Sequence, residues 1–214
     1  MAKKSKTSAI PSKKKSRKPT QAERADRHKL YQQAVQDTEF EFEFVDATFK
    51  RLRGRTAHIL REDFCGTGNM CCEWVRRRTT NHAFGLDLDP EVLDWGRREN
   101  IGALKPGQQR RVELVEGNVL TTDLEPVDLI LAMNFSYQCF QDRATLRQYF
   151  ERVRDGLVDD GVLIIDSFGG YDAFREMRER TDHKRFTYIW DQAHYDPITG
   201  ESQCHIHFSF PDGS

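Results

Sequence analysis

The sequence predicts an alternating α/β protein: a mostly parallel sheet with helices on both faces. Two observations carry this. Short apolar runs of strand length (AHIL, AFGLDL, VELVEG, VDLILAM and GVLIIDSF) alternate with amphipathic stretches of helical length between residues 57 and 180. Strand–helix repetition of this kind specifies a parallel sheet covered on both sides. The first run also opens ILREDFCGTGNMCCEWV (59–75), where a buried strand passes into a helix through a Cys-Gly-Thr-Gly step. In open parallel sheets, ligands bind beyond the carboxyl ends of the strands, at such a turn.

Residues 1–20 read as a disordered basic tail, since residues 1–18 hold eight Lys or Arg and no acid and like charges in blocks resist packing. The remainder holds 25 basic against 34 acidic residues, so a formal net charge of −1 divides into a basic tail and a body at −9. An acidic body argues against a dedicated nucleic-acid groove and leaves a weak nucleic-acid contact through residues 1–18 as the tail's alternative to simple solubilisation.

Residues 21–56 read as a helical cap. AERADRHKLYQQAVQD spaces Ala22, Ala25, Leu30 and Ala34 at about helical intervals. In TEFEFEFVDATFKRLRG, the alternation of Phe40, Phe42 and Phe44 suggests strand, but Val45, Phe49 and Leu52, closed by Gly54, favour helix. Residues 57–180 form the α/β body, with helices expected at 69–78, 90–99, 143–155 and 171–179. Residues 181–214 read as an antiparallel hairpin turning at Pro197-Ile198-Thr199-Gly200.

Apolar residues make up 37% of the chain, and no apolar run approaches the roughly 20 residues of a membrane span. No membrane association is expected. Lys3, Lys4 and Lys6 follow Met1 without an apolar segment, so the expected location is cytoplasmic, or nuclear in an organism that has a nucleus. The cysteines at 65, 71, 72, 139 and 204 fit no zinc or disulfide framework. His205 and His207 share a strand face from which Cys204 points away, and no metal is expected.

The glycine turn constrains its ligand. Gly66 and Gly68 let the backbone approach a bound molecule closely, and the helix beginning near Asn69 aims free N–H groups at it. A dinucleotide fingerprint requires a third glycine where Cys71 stands, and no Gly-Lys-Ser/Thr follows for a phosphate loop. Asp87 closes FGLDLDP nineteen residues beyond Gly68, where an acid accepts both hydroxyls of a ribose. Glu62, before the turn, opposes a pyrophosphate but suits a ligand carrying ammonium and sulfonium charges. S-adenosylmethionine is such a ligand.

On these residues the chain resembles the class I S-adenosylmethionine-dependent methyltransferases, whose fold is Rossmann-like. Their first motif, approximately V-L-D-x-G-C-G-T-G, matches Leu60 to Gly68, with Glu62 at the acid and Phe64 departing from the usual glycine. REDFCGTG is more specifically similar to a subgroup carrying Arg-Glu-Asp-Phe-Cys-Gly-Thr after a helix with Tyr-Gln-x-Ala-Val-Gln, here Tyr31 to Gln36. The resemblance implies an enzyme with S-adenosylmethionine as cofactor. Gly66 and Gly68, with Cys65 and Thr67 between and before them, flank the homocysteine part; Glu62 meets the ammonium; Asp87 holds the ribose; and Asn118 faces the adenine amino group. Leu88, Val119 and Met133 complete the cofactor-binding set. Arg61 either pairs with the cofactor carboxylate or ties down Asp63.

After the fourth strand, AMNFSYQCF stands where this family faces the transferred methyl. Asn134 and Tyr137 match the first and last residues of the Asn-Pro-Pro-Tyr loop of amino-group methyltransferases and are the catalytic candidates; the prolines are absent. A small-molecule methyl acceptor is expected, with the C-terminal hairpin over its pocket. The resemblance also implies further core strands beyond Ser214, leaving GVLIIDSF as an expected sheet edge. Two alternatives remain: a non-catalytic assembly factor binding nucleic acid or ribosomes through the tail, and a nicotinamide-dependent oxidoreductase, against which the missing third glycine counts.

Overall fold

The ILRED segment is the centre of the sheet. In the computed structural model, which describes residues 17–214, Ile59–Asp63 (β1) is followed by His82–Asp87 (β2), Val112–Glu116 (β3), Val127–Ala132 (β4) and Leu157–Ile165 (β5). All pair in parallel, in the order β3-β2-β1-β4-β5. The chain steps outward from β1 to β3 and then returns to the other side of β1 with β4. The turn after β1 therefore lies at the reversal of strand order, where the carboxyl ends of neighbouring strands leave a crevice.

Helices cover both faces. Asn69–Arg77 (α4) buries Met70, Cys71, Cys72, Trp74 and Val75. These pack with Leu60, Ala83, Leu129 and Leu131 of the sheet and with Phe42, Val45 and Phe49 of Thr38–Arg53 (α3). The small thiols of Cys71 and Cys72 let α4 lie close to the strands, while Trp74 donates its indole N–H to the His58 carbonyl at 3.1 Å. On the other face, Arg143–Asp155 (α7) places Tyr149 and Val153 against Val127 and Ile130.

The remaining helices are short. Gln21–Arg24 (α1) is held by a Thr20–Glu23 capping box. Arg27–Val35 (α2) begins at Asp26, whose carboxylate accepts the His28 and Lys29 N–H groups. That cap divides the single helix expected over 22–34 in two, because Ala25 and Asp26 take extended backbone. The helix expected from TEFEFEF is present and ends at Gly54 (φ 68°). Its Phe alternation reflects facing: Phe42 is buried while Phe40 and Phe44 point outward. Pro90–Gly96 (α5) runs on as a wider π turn through Ile101, and Pro106–Gln109 (α6) is a single turn.

The C-terminal antiparallel addition is present, with one strand more than expected. Residues 171–179 do not form a helix: Tyr171–Phe174 make a 3-10 turn, and Met177–Asp182 (β6) pairs with Thr187–Tyr195 (β7), which in turn pairs with Ser202–Ser209 (β8). Almost all of β6 is exposed, so it has no apolar periodicity to announce a strand. Backbone pairing with β7 overrides its local preference. The basic tail expected over 1–20 lies, up to residue 16, outside the described residues. No helix among the described residues is long and apolar enough to cross a membrane.

Candidate active site

The turn after β1 is built from left-handed backbone. Phe64, Gly66 and Gly68 have φ of 58°, 53° and 64°. A side chain at Gly68 would put its Cβ 2.5 Å from Leu114 Cδ2, whereas one at Gly66 would meet nothing nearer than Val92 Cγ1 at 3.9 Å. Gly68 is thus backed by the Leu114 side chain, while Gly66 leaves open space that a ligand can fill. Phe64, where the resembled family has glycine, adopts a conformation that costs a non-glycine residue about 1–2 kcal/mol. Its ring is supported by Phe140 and Tyr149, at centroid distances of 6.0 and 5.8 Å.

Glu62, only 6% exposed, lies on the face of β1 that meets α4. Its Oε2 accepts the Cys71 thiol at 3.1 Å. Burial pushes its carboxyl up to about 8, and the charges of Glu41 and Asp87 add to the rise. Burial likewise raises the Cys65 and Cys71 thiols far above their ordinary range, so both stay protonated. With Cys65, Gly66, Thr67, Val92, Met133 and Asn134, Glu62 lines a cavity of about 240 Å³. A buried acid waiting to ionise, facing an open cavity beside the free N–H groups of α4, fits a ligand that brings its own positive charge.

Asp87, at the end of β2, accepts the Gly66 N–H at 2.8 Å and the Asp89 N–H at 3.0 Å, one on each oxygen. Each oxygen keeps a lone pair for a further donor. Leu88 beside it is an apolar side chain 66% exposed, a platform for a flat ring. Asn118 follows β3, whose end is tied to β2 by the Gly117 N–H to the Asp87 carbonyl. Its Oδ1 accepts the Leu120 N–H at 2.9 Å, and Val119 is buried next to it.

Arg61 does not reach this cavity. Strand alternation turns Arg61 and Asp63 to the face opposite Glu62, where Arg61 Nε donates to Asp63 at 2.6 Å and the Tyr149 hydroxyl donates to the other Asp63 oxygen at 3.0 Å. Of the two roles open to Arg61, the geometry realises the tie to Asp63.

Several lining residues carried no role in the sequence. His28, Tyr31 and Gln36 close the small cavity from above. Their helix is strapped to the glycine turn by Gln32 Nε2 to Thr67 Oγ1 (2.7 Å) and by Asn69 Nδ2 to Gln36 Oε1 (3.1 Å), and its Asp26 cap accepts the Trp95 indole N–H at 2.8 Å. The only sequence signal was the Tyr31–Gln36 segment.

Asn134 (φ 56°) and Phe135 (φ 46°) form a second left-handed turn, held by the Phe135 N–H donating to Asp166 at 2.6 Å. Asn134 lines both the small cavity and a larger cleft of about 960 Å³. Tyr137 lines the cleft alone, its hydroxyl 2.6 Å from Ser167 Oγ. Phe135, Phe168 and Trp190 meet at centroid distances of 5.2 to 6.0 Å, joining the turn to the β6–β8 sheet. At the junction, burial raises the Tyr31 phenol and the Glu41 carboxyl, and the nearby charge of Asp166 contributes to both.

Residues 65–163 match the family model described as a methyltransferase domain. That stretch, somewhat under half of the chain, is similar to methyltransferase domains. An S-adenosylmethionine-dependent methyltransferase from Clostridium acetobutylicum superposes with a TM-score of 0.62 at 21% identity, covering 87% of this chain and 74% of its own. CalS10, an amino pentose methyltransferase from Micromonospora echinaspora solved with S-adenosylmethionine, gives 0.63 at 16% identity over 91% and 84%. The sugar N-methyltransferase KedS8 from Streptoalloteichus gives 0.59 at 17% identity over 95% and 84%. No curated protein sequence matches significantly. The enzyme class and cofactor expected from the sequence agree with the domain match, and the expected fold agrees with these structures.

Proposed function

We propose that the methyltransferase domain transfers a methyl group from S-adenosylmethionine to an amine nitrogen of a small, sugar-like acceptor. The observation that carries this reading is Asn134, which opens onto both the glycine-turn cavity and the aromatic-walled cleft. When bound, S-adenosylmethionine supplies an electrophilic methyl on a sulfonium. Glu62 holds the ammonium, Asp87 the ribose and Asn118 the adenine edge, while α2 covers the methionine end and excludes water. An acceptor amine would have to present its neutral lone pair to that methyl, with solvent taking up its proton. Asn134 orients the amine, so alignment supplies most of the rate and no dedicated base is required. The names of CalS10 and KedS8 support a sugar amine.

The test is turnover of methyl-labelled S-adenosylmethionine against a panel of amino sugars and their hydroxyl counterparts. Label is expected on the amines. Transfer to the hydroxyl compounds alone would overturn the acceptor, and failure to bind S-adenosylhomocysteine would overturn the whole reading.

A further inference from the structure

α3 has two faces of different character. Its inner face buries Phe42, Val45 and Phe49. Its outer face presents Phe40, Phe44, Ala47 and Arg51, all exposed, the two phenylalanines at 65% and 53%. Their spacing of four, three and four residues is the seam of a left-handed helix pair. Aromatic side chains bared one turn apart form an apolar patch of the kind that marks an interface.

The seam complements itself when read backwards. About a twofold axis between residues 45 and 46, Phe44 of one copy falls opposite Ala47 of the other, a large side chain against a small one, and Phe40 falls opposite the stem and guanidinium of Arg51. The flanking charges follow the same rule. Glu43 and Lys50 lie on one side of the seam, so antiparallel alignment sets Glu43 of each copy beside Lys50 of the other. Glu43 and Arg51 make no ion pair among the described residues, and Lys50 holds only Asp46 on its own helix, at 2.9 Å. Parallel alignment would instead stack Phe44 on Phe44 and Arg51 on Arg51, like charge on like.

We propose that the outer face of α3 is the contact of a twofold homodimer, in which two α3 helices pack antiparallel with Phe44 of each seated on Ala47 of the other. Light scattering on the full chain is expected to give twice the 25.0 kDa chain mass. Phe44→Glu should return a folded monomer that still melts cooperatively, because the side chain points away from the core. Glu43→Lys should weaken association about tenfold, as two symmetry-related exposed pairs are lost, and adding Lys50→Glu should restore it. In a Cys139→Ser background, Ala47→Cys should cross-link with a short bismaleimide. A monomeric native chain at the highest concentration reached, or a dimer indifferent to both Phe44→Glu and the charge swap, overturns the proposal.

Discussion

The two cavities that meet at Asn134 are walled by different kinds of structure. Around the glycine turn, Leu60, Met70, Cys71, Cys72 and Leu93 are fully buried, and the turn is fixed from three sides by Leu86, Asp87 and Gln32. Over the larger cleft the cover is one layer of sheet: β6 is nearly all exposed, Ile198 at the β7–β8 tip is 94% exposed, and contact with the α/β body runs through Trp190, Phe135 and Phe168. Close packing transmits a displacement of a few tenths of an ångström, whereas a thin layer absorbs one. The cofactor side should therefore fail sharply when disturbed and the acceptor side gradually.

The largest break is expected where nothing can yield. A Cβ at Gly96 would sit 2.3 Å from the Thr67 carbonyl oxygen, a backbone atom of the glycine turn. Gly96→Ala should cost about 1–3 kcal/mol of stability, as overpacking does, and lower S-adenosylhomocysteine affinity by more than about 100-fold, since the turn must shift to make room. Melting and calorimetric titration check both effects; a variant that binds normally would show the turn to be soft.

Next is Asp87→Ala, which removes the acceptor of the Gly66 N–H along with the proposed ribose contacts. Affinity for S-adenosylhomocysteine should fall by on the order of 2–4 kcal/mol, about 100-fold, by charge-assisted hydrogen-bond magnitudes. Unchanged titration of a folded variant would remove the ribose assignment.

Glu62 sharpens the comparison through pH. Its folded-state carboxyl sits at about 8, above the ordinary 4.5, so the stability it confers as a neutral acid is complete below 4.5 and lost as pH rises through 8. The free protein should melt lower at about pH 8.5 than at about pH 6, and Glu62→Gln should flatten that difference. A ligand ammonium requires the carboxylate, so affinity should rise by up to about tenfold per unit between about pH 5.5 and 7, with Gln abolishing the slope. A native protein without that slope would place the ammonium elsewhere.

The smallest effect belongs to the cover. Trp190→Ala should lower acceptor kcat/KM about tenfold while leaving S-adenosylhomocysteine affinity within about twofold, because it touches the second turn and not the first. Loss of cofactor binding in this variant would show that the two sides are coupled.

Features encoded in short windows were legible in the sequence alone. The alternation of strand and helix, the Gly54 stop, the glycine turn and the acid at Asp87 each follow from periodicity or from a backbone conformation that few residues tolerate. Phe64 was visible as a departure from glycine. Only packing explains it, through a left-handed backbone braced by Phe140 and Tyr149. The period of β1 puts Arg61 with Asp63 and against Glu62, yet which of the two faces meets the cavity depended on where α4 and α7 pack. β6 had no pattern to read because pairing with β7, not burial, makes it a strand. His28 carried no distinguishing signal, and Gln32 only its place in the Tyr31–Gln36 segment, because their partners, Trp95 and Thr67, lie far along the chain. A local conformational preference acts on its own residues and so is written beside them; a contact between distant segments exists only once the whole sheet has set their positions.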